Sequence, residues 1–124
     1  MYEITTQQHF SAAHRLLHYE GPCENLHGHN WLVRATVKCE NLDKSGIAID
    51  FKILKRKLKD ILSEFDHKNL NDIFDALNQS PSSERIACYV YHKLADSLSE
   101  DGHDARVTRV EVEETPGNCA AYYE

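Results

Sequence analysis

The chain has 124 residues, 41% of them hydrophobic and 27% charged, with a formal net charge of −6. That length fits one domain over residues 1–124, with a real but modest core. The acidic balance argues against a general nucleic-acid binder, which carries a basic surface, and no apolar run approaches the ~20 residues of a membrane span.

Met1-Tyr2-Glu3-Ile4-Thr5-Thr6 has neither a basic start nor an apolar stretch, so no signal peptide is expected. Cys23, Cys39, Cys88 and Cys119 then read as reduced thiols of a cytoplasmic protein. Tyr2 to His14 is strand-like, and Leu16 to Leu26 is a loop marked by Gly21-Pro22. His27 to Glu40 is a clearer strand. Trp31, Val33, Ala35, Val37 and Cys39 alternate with Arg34, Thr36 and Lys38, so His27 and His29 share the apolar face. The two strands are expected to pair antiparallel, with the histidines near one end.

Asn41 to Gly46 reads as a turn and Ile47-Ala48-Ile49 as a short extended stretch. Asp50 can cap a helix whose stripe is Phe51, Leu54, Leu58, Ile61, Leu62 and Phe65; the lysines between them form its solvated face. Asp66 to Gln79 reads as irregular and polar. Ser82 can cap a second helix carrying Ile86, Val90, Leu94 and Leu98. Val107 to Thr115 is the last long strand, with Val110, Val112 and Glu114 on one face, and Tyr122-Tyr123 adds a short final piece. The sum is an α+β layout, an antiparallel sheet with two helices on one face.

His14, His27 and His29 carry the chemistry. A strand through His27-Gly28-His29 sets two imidazoles side by side, with Gly28 leaving room for close approach. Three neutral imidazoles without a fourth protein ligand is the pattern of a catalytic zinc site, and the absence of hard carboxylates from the trio makes zinc the default metal. The bland alternative is surface or satisfied core imidazoles. Cys23 has three readings: a fourth ligand closing a structural site, an inert loop thiol, or a catalytic thiol activated by nearby metal and imidazole. Asp66-His67 is either a histidine favoured by a helix dipole or a carboxylate orienting an imidazole for proton transfer. Glu114, inward by parity, needs a partner; it sits where its face reaches solvent, or it anchors a ligand with a donor–donor edge such as an aminopyrimidine. Glu113 has the opposite parity. Cys39 reads as packing, and Cys88 and Cys119 receive no role.

Six segments together resemble a known family: Phe10-Ser11-Ala12-Ala13-His14, Cys23-x-x-x-His27-Gly28-His29, Ile49-Asp50-Phe51, Asp66-His67-Lys68-Asn69-Leu70-Asn71, Pro81-Ser82-Ser83-Glu84 and Glu114-Thr115. The chain resembles the 6-pyruvoyltetrahydropterin synthase / 6-carboxytetrahydropterin synthase family over essentially its full length. The resemblance implies the tunnelling fold, an antiparallel four-stranded sheet with two helices on one face. It also implies trimers that close a barrel, two of which stack into a homohexamer with active sites between subunits. By the same resemblance His14, His27 and His29 bind Zn2+, Cys23 is the catalytic thiol, and Asp66 and His67 complete a proton relay. Glu114 grips the pterin's aminopyrimidine edge, and Ser82 and Ser83 stand where the family often has threonine near the pterin.

The three-residue gap between Cys23 and His27 resembles the carboxy-forming branch of queuosine synthesis; the pyruvoyl branch has a longer gap. Glu24 stands near a glutamate that replaces the cysteine in a folate-directed branch, and a Cys-Glu pair resembles members serving both pathways. An exposed loop acid is the plainer account of Glu24. The implied substrate is 7,8-dihydroneopterin triphosphate, with Arg15 and nearby histidines the only guesses for its phosphates. The product is then 6-carboxy-5,6,7,8-tetrahydropterin, or alternatively a pyruvoyl or 6-hydroxymethyl pterin. Two readings of another class stand beside it: a zinc hydrolase using Glu24 or Glu114 as base, and a non-catalytic pterin-binding or structural-zinc protein with Cys23 closing the metal site.

Overall fold

The computed structural model describes all 124 residues. Its frame is a long antiparallel ladder between β1 (Tyr2–His14) and β2 (His27–Cys39), paired without a break from Tyr2↔Cys39 to His14↔His27. Alternation decides which face is buried: Phe10, Trp31, Val33, Ala35 and Val37 all point into the core. Phe10 and Trp31 are cross-strand partners, and their rings stack at 5.7 Å.

Two helices cover this face. α1 (Phe51–Leu62) starts at Asp50, whose carboxylate accepts from the Lys52 amide, and buries Leu54, Leu58, Ile61 and Leu62. Phe51 departs from the expected stripe: it stands in the first turn and is exposed. Phe65 lies beyond the helix but remains fully buried, against Phe10, Phe74 and Tyr89.

The sheet has five strands, not four, in the order β3-β1-β2-β4-β5. The extra strand is β3 (Lys68–Asn69), two residues running parallel to β1 at Ala12 and Ala13. A third, short helix, α2 (Asn71–Phe74), follows it, so the stretch from Asp66 to Gln79 is ordered rather than irregular. The reason is that its backbone groups pair with β1, His67 N–H to Ser11 and Leu70 N–H to Ala13, while Leu70 and Phe74 are fully buried as anchors. Conversely, Ile47-Ala48-Ile49 forms no strand: the Asp43 carboxylate takes the Ser45 and Ile47 amides into a side-chain turn.

α3 (Ser83–Glu100) begins where expected, with Ser82 accepting from the Arg85 amide. It lies over β4 (Arg106–Thr115) and β5 (Asn118–Tyr123). Two irregularities interrupt β4. Thr36 faces Arg109 while Val37 faces Val107, so Thr108 is an extra residue and Val107 and Val110 both face the core. On the β5 side, Glu113 faces Cys119 while Thr115 faces Asn118, so Glu114 is the extra residue.

Removing the Phe65 ring should cost about 3–5 kcal/mol, because it is enclosed on several sides. Asp50→Ala should cost about 1 kcal/mol through the lost cap. Urea unfolding followed by the fluorescence of Trp31, the sole and fully buried tryptophan, measures both.

Candidate functional site

His14 and His27 end their strands directly opposite each other, and His29 lies opposite Ala12 on the same face. The three imidazoles meet edge to face at centroid separations of 4.6, 4.8 and 5.3 Å, on a floor made by Trp31. Gly28 plays no part in that approach. A Cβ there would touch only the Ala12 carbonyl at 3.9 Å, an ordinary contact, because residue 28 faces the other side of the sheet.

Two backbone carbonyls set the protonation of the cluster. His14 Nδ1 lies 2.7 Å from the Pro81 oxygen and His27 Nδ1 lies 2.7 Å from the Asn25 oxygen. A carbonyl only accepts, so both Nδ1 atoms carry the proton and donate it. In the neutral rings both Nε2 lone pairs are then bare, and they confront each other at 3.1 Å. That arrangement repels unless a cation lies between them. Burial pushes the His14 imidazole below its ordinary value, against the pull of the Pro81 carbonyl and Glu114. His29 Nε2 adds a third unsatisfied atom: it is buried and makes no aligned hydrogen bond, although Glu114 Oε1 is 2.7 Å away. Distance without alignment means the two atoms converge on a common point rather than on each other. Oriented, deprotonated Nε2 atoms backed by carbonyl acceptors are what a metal ion requires, so the residues fit one.

The fourth nearby ligating atom belongs to Glu114, and all four lie within 4.8 Å of one another. Cys23 is outside this group. It sits half-buried in the 3-10 turn Pro22–Glu24, which the Leu16 amide fixes by donating to the Cys23 carbonyl. Closure of the metal site by Cys23 is therefore not what the geometry offers. Glu24, in the same turn, is exposed.

The second residue group is arranged around Glu114. Its Oε2 accepts from Ser83 Oγ at 3.2 Å, while Ser82 Oγ is occupied by the helix cap. Ser82, Ser83, Glu114, Asn118, Cys119 and Leu16 border an open cleft of about 270 Å³. A larger hollow of about 450 Å³, near Met1, Lys38 and Arg106, holds none of the clustered ligating groups.

Asp66 and His67 lie elsewhere, at the β1–β3 edge. His67 has a left-handed backbone (φ 59°), an uncommon conformation for a side-chain-bearing residue. Ser11 holds it from both sides: its amide donates to Asp66 Oδ1 at 2.9 Å, and its carbonyl accepts from the His67 amide at 2.6 Å. The His67 ring, 81% exposed, stands 3.1 Å from Asp66 Oδ1. It borders a wide cleft of about 460 Å³ with Ser11, Gly28, His29, Asn30 and Lys68, and is not among the clustered ligating atoms.

Sequence reasoning missed the supports. Pro81 and Asn25 act through main-chain oxygens, which no residue identity reveals. Asn71, buried, accepts from the Arg15 amide and donates to the Arg15 carbonyl, pinning the chain as it leaves His14. Its one sequence signal was its place at the end of the Asp66–Asn71 motif.

With this geometry in view, the family model described as 6-pyruvoyl tetrahydropterin synthase matches residues 3–124. The chain belongs to the 6-pyruvoyl tetrahydropterin synthase family. It is 35% identical to a 6-carboxy-5,6,7,8-tetrahydropterin synthase of Synechocystis sp., across 99% of this chain and 94% of that one. It is 31% identical to the protein of the same name in Bacillus subtilis, across 98% of this chain and 84% of that one. The solved structure of Caenorhabditis elegans 6-pyruvoyl tetrahydropterin synthase superposes with a TM-score of 0.79 at 30% identity, covering 100% of this chain and 97% of that chain. As a member of the family the chain is a tetrahydropterin synthase-type enzyme with an α+β fold. No helix is long and apolar enough to cross a membrane.

The Ser11 amide holds the Asp66 carboxyl below its usual value, and His67 adds to this. A lowered folded-state value means stability that is full above the unfolded value of 3.8 and lost as pH falls through the folded one. The stability gap between wild type and Asp66→Asn should therefore shrink as pH falls well below 3.8. Urea midpoints at neutral and acid pH test it; a gap of constant size would remove Asp66 from the Ser11 clamp.

Proposed function

We propose that this chain converts 7,8-dihydroneopterin triphosphate to 6-carboxy-5,6,7,8-tetrahydropterin in queuosine biosynthesis. The observation that carries the reading is the convergence of the His14, His27 and His29 Nε2 atoms with Glu114 beside the Ser83 cleft. The relatives that bear the carboxy-forming name, and the three-residue gap between Cys23 and His27, support the product.

His14, His27 and His29 would hold zinc, which supplies Lewis acidity toward the substrate's side-chain hydroxyls. Glu114 would orient the ring by accepting from the aminopyrimidine edge with both oxygens, and Ser83 would keep that carboxylate in place. Ser82 and Glu24 are the remaining candidate contacts to substrate. Cys23 Sγ would take a proton from the side chain, and the His67 ring, oriented by Asp66, would return one as triphosphate leaves. Addition of one water at the side-chain carbon next to the ring, with cleavage of its bond to the second side-chain carbon, would then leave the carboxylate on the ring and release the other two carbons as acetaldehyde. The side-chain oxidation and ring reduction balance within the substrate, so no redox cofactor enters.

The assembly belongs to the same proposal: a cytoplasmic homohexamer of two stacked trimers, each subunit one domain over 1–124. Two features support it. The sheet ends in β5 on one side and in the two-residue β3 on the other, so most of β1 has a free edge. His67 is exposed and apart from its own metal-ligand cluster, where a neighbouring copy's site can use it.

Mass spectrometry of products from dihydroneopterin triphosphate should show the carboxy pterin and acetaldehyde. A pyruvoyl or hydroxymethyl pterin as sole product would overturn the assignment. Cys23→Ala should keep full zinc content and lose at least about a hundredfold in turnover, the range for a proton-transfer group. A parallel loss of zinc on the same sample would instead make Cys23 a ligand. His27→Ala and His29→Ala should lose the metal.

A further inference from the structure

His14 and Asn71 are the two buried polar residues of the chain, 1% and 4% exposed. Arg15, next to His14, joins them. The Asn71 carboxamide oxygen accepts from the Arg15 amide at 2.8 Å, and its nitrogen donates to the Arg15 carbonyl at 3.0 Å and to Asp75 Oδ1 at 3.2 Å. Every donor of that side chain is used, and a carboxamide fills the place that a neighbouring strand's backbone would take.

The contact belongs to a series along one edge of the chain. The Ser11 carbonyl accepts from the His67 amide and the Ala13 carbonyl from the Leu70 amide. Arg15 then pairs with Asn71, and the Leu17 amide donates to Ser80 Oγ at 2.9 Å. Every second residue from 11 to 17 is thus fastened to the segment 67–80, the first two by main chain and the last two by side chains. β3 ends at Asn69, so past Leu70 only side chains continue the pairing. His14 stands between two fastened neighbours. Ser80 also precedes Pro81, whose carbonyl accepts from His14 Nδ1 at 2.7 Å. The Ser80 carbonyl takes the Ser82 amide at 2.9 Å, so Pro81 sits inside a turn that Ser80 anchors to Leu17.

We infer that Asn71 and Ser80 are positioning residues for the metal ligand His14. They touch neither metal nor substrate. Asn71 fixes the main chain that carries the imidazole, and Ser80 fixes the carbonyl that turns it. A single hydrogen bond to Pro81 holds Nδ1 protonated and Nε2 bare toward the ion, and that bond is only as well aimed as its two ends. With either clip gone, the ring is free to rotate off Pro81, and the metal must reorder it on binding. The inference rests on the metal assignment above.

Metal affinity is the readout, because Leu16 in the same strip also fixes the Cys23 turn and turnover would mix the two effects. The full chain is loaded with Co2+, whose visible absorption reports its ligand geometry, and affinity is read by competition with a chelator. Asn71→Ala and Ser80→Ala should each bind Co2+ about tenfold more weakly, the lower end for groups that support a ligand, with an altered absorption spectrum. Ser80→Thr keeps the hydroxyl and should restore wild-type affinity and spectrum. Asp50→Ala, which loosens the chain at the α1 cap instead, should leave both unchanged.

A Ser80→Ala protein with the affinity and spectrum of wild type would overturn the inference. An equal loss in Asp50→Ala would do so too, since the effect would then be one of general stability. If Asn71→Ala does not fold, Ser80→Ala and its threonine rescue decide alone. If wild type takes up no Co2+, or His27→Ala keeps it, the metal assignment itself fails and this inference with it.

Discussion

Two main-chain carbonyls determine what this site can do. Pro81 and Asn25 accept from the Nδ1 atoms of His14 and His27, and the ladder brings the opposite nitrogens to 3.1 Å. Lone pairs at that distance repel each other, and the continuous β1–β2 pairing fixes the strands that carry the two rings. A cation relieves it. The demand for a metal thus comes from backbone placement as much as from the choice of histidine. Each carbonyl arrives from a different part of the chain: Asn25 from the loop entering β2, Pro81 from the segment entering α3. Sheet and helix must both be in place before the imidazoles are poised.

Bulges do related work in β4. A strict period of two would set Val107 on the same face as Arg109 and Glu111, losing an apolar residue to solvent. The extra residue at Thr108 restores Val107 to the core. The second extra residue is Glu114. That irregularity lies on the β5 side, and Glu114 keeps the inward parity of Val110 and Val112, facing His14 and His29 where the apolar row ends.

Much of this was legible from residue order. The β1–β2 pair, the Asp50 and Ser82 caps, and the shared face of His27 and His29 follow from alternation and capping chemistry, both of which are local. What escaped was non-local. β3 is only two residues long and has no pattern of its own; it exists because β1 offers an unpaired edge to the backbone of Lys68 and Asn69. The failed Ile47–Ile49 strand shows the converse, an apolar run overruled by one Asp43 side chain that takes the amides of Ser45 and Ile47. Phe51 matched the helical period yet stays exposed, because periodicity assigns a face without saying how far the covering sheet extends. The inward parity of Glu114 was readable, but its contact with the histidines was not, since that depends on the register of β4 against β2.

The candidate groups are held in two different ways. His14, His27 and His29 are strand residues joined by ladder pairing, which suits groups that define a fixed point. Cys23 is in a 3-10 turn and His67 in a left-handed turn, each held by only a few backbone bonds. Ser11 nonetheless grips Asp66 and His67 through both its amide and its carbonyl, and that double constraint keeps an uncommon backbone conformation in place. Release of either bond would let His67 relax toward an ordinary conformation and swing its ring off Asp66. The ring is presented outward because the turn is strained, and the strain persists because β1, the strand that carries His14, supplies both restraints. The placement of His14 and that of the Asp66–His67 pair are therefore tied to one strand, three residues apart from Ser11 to His14.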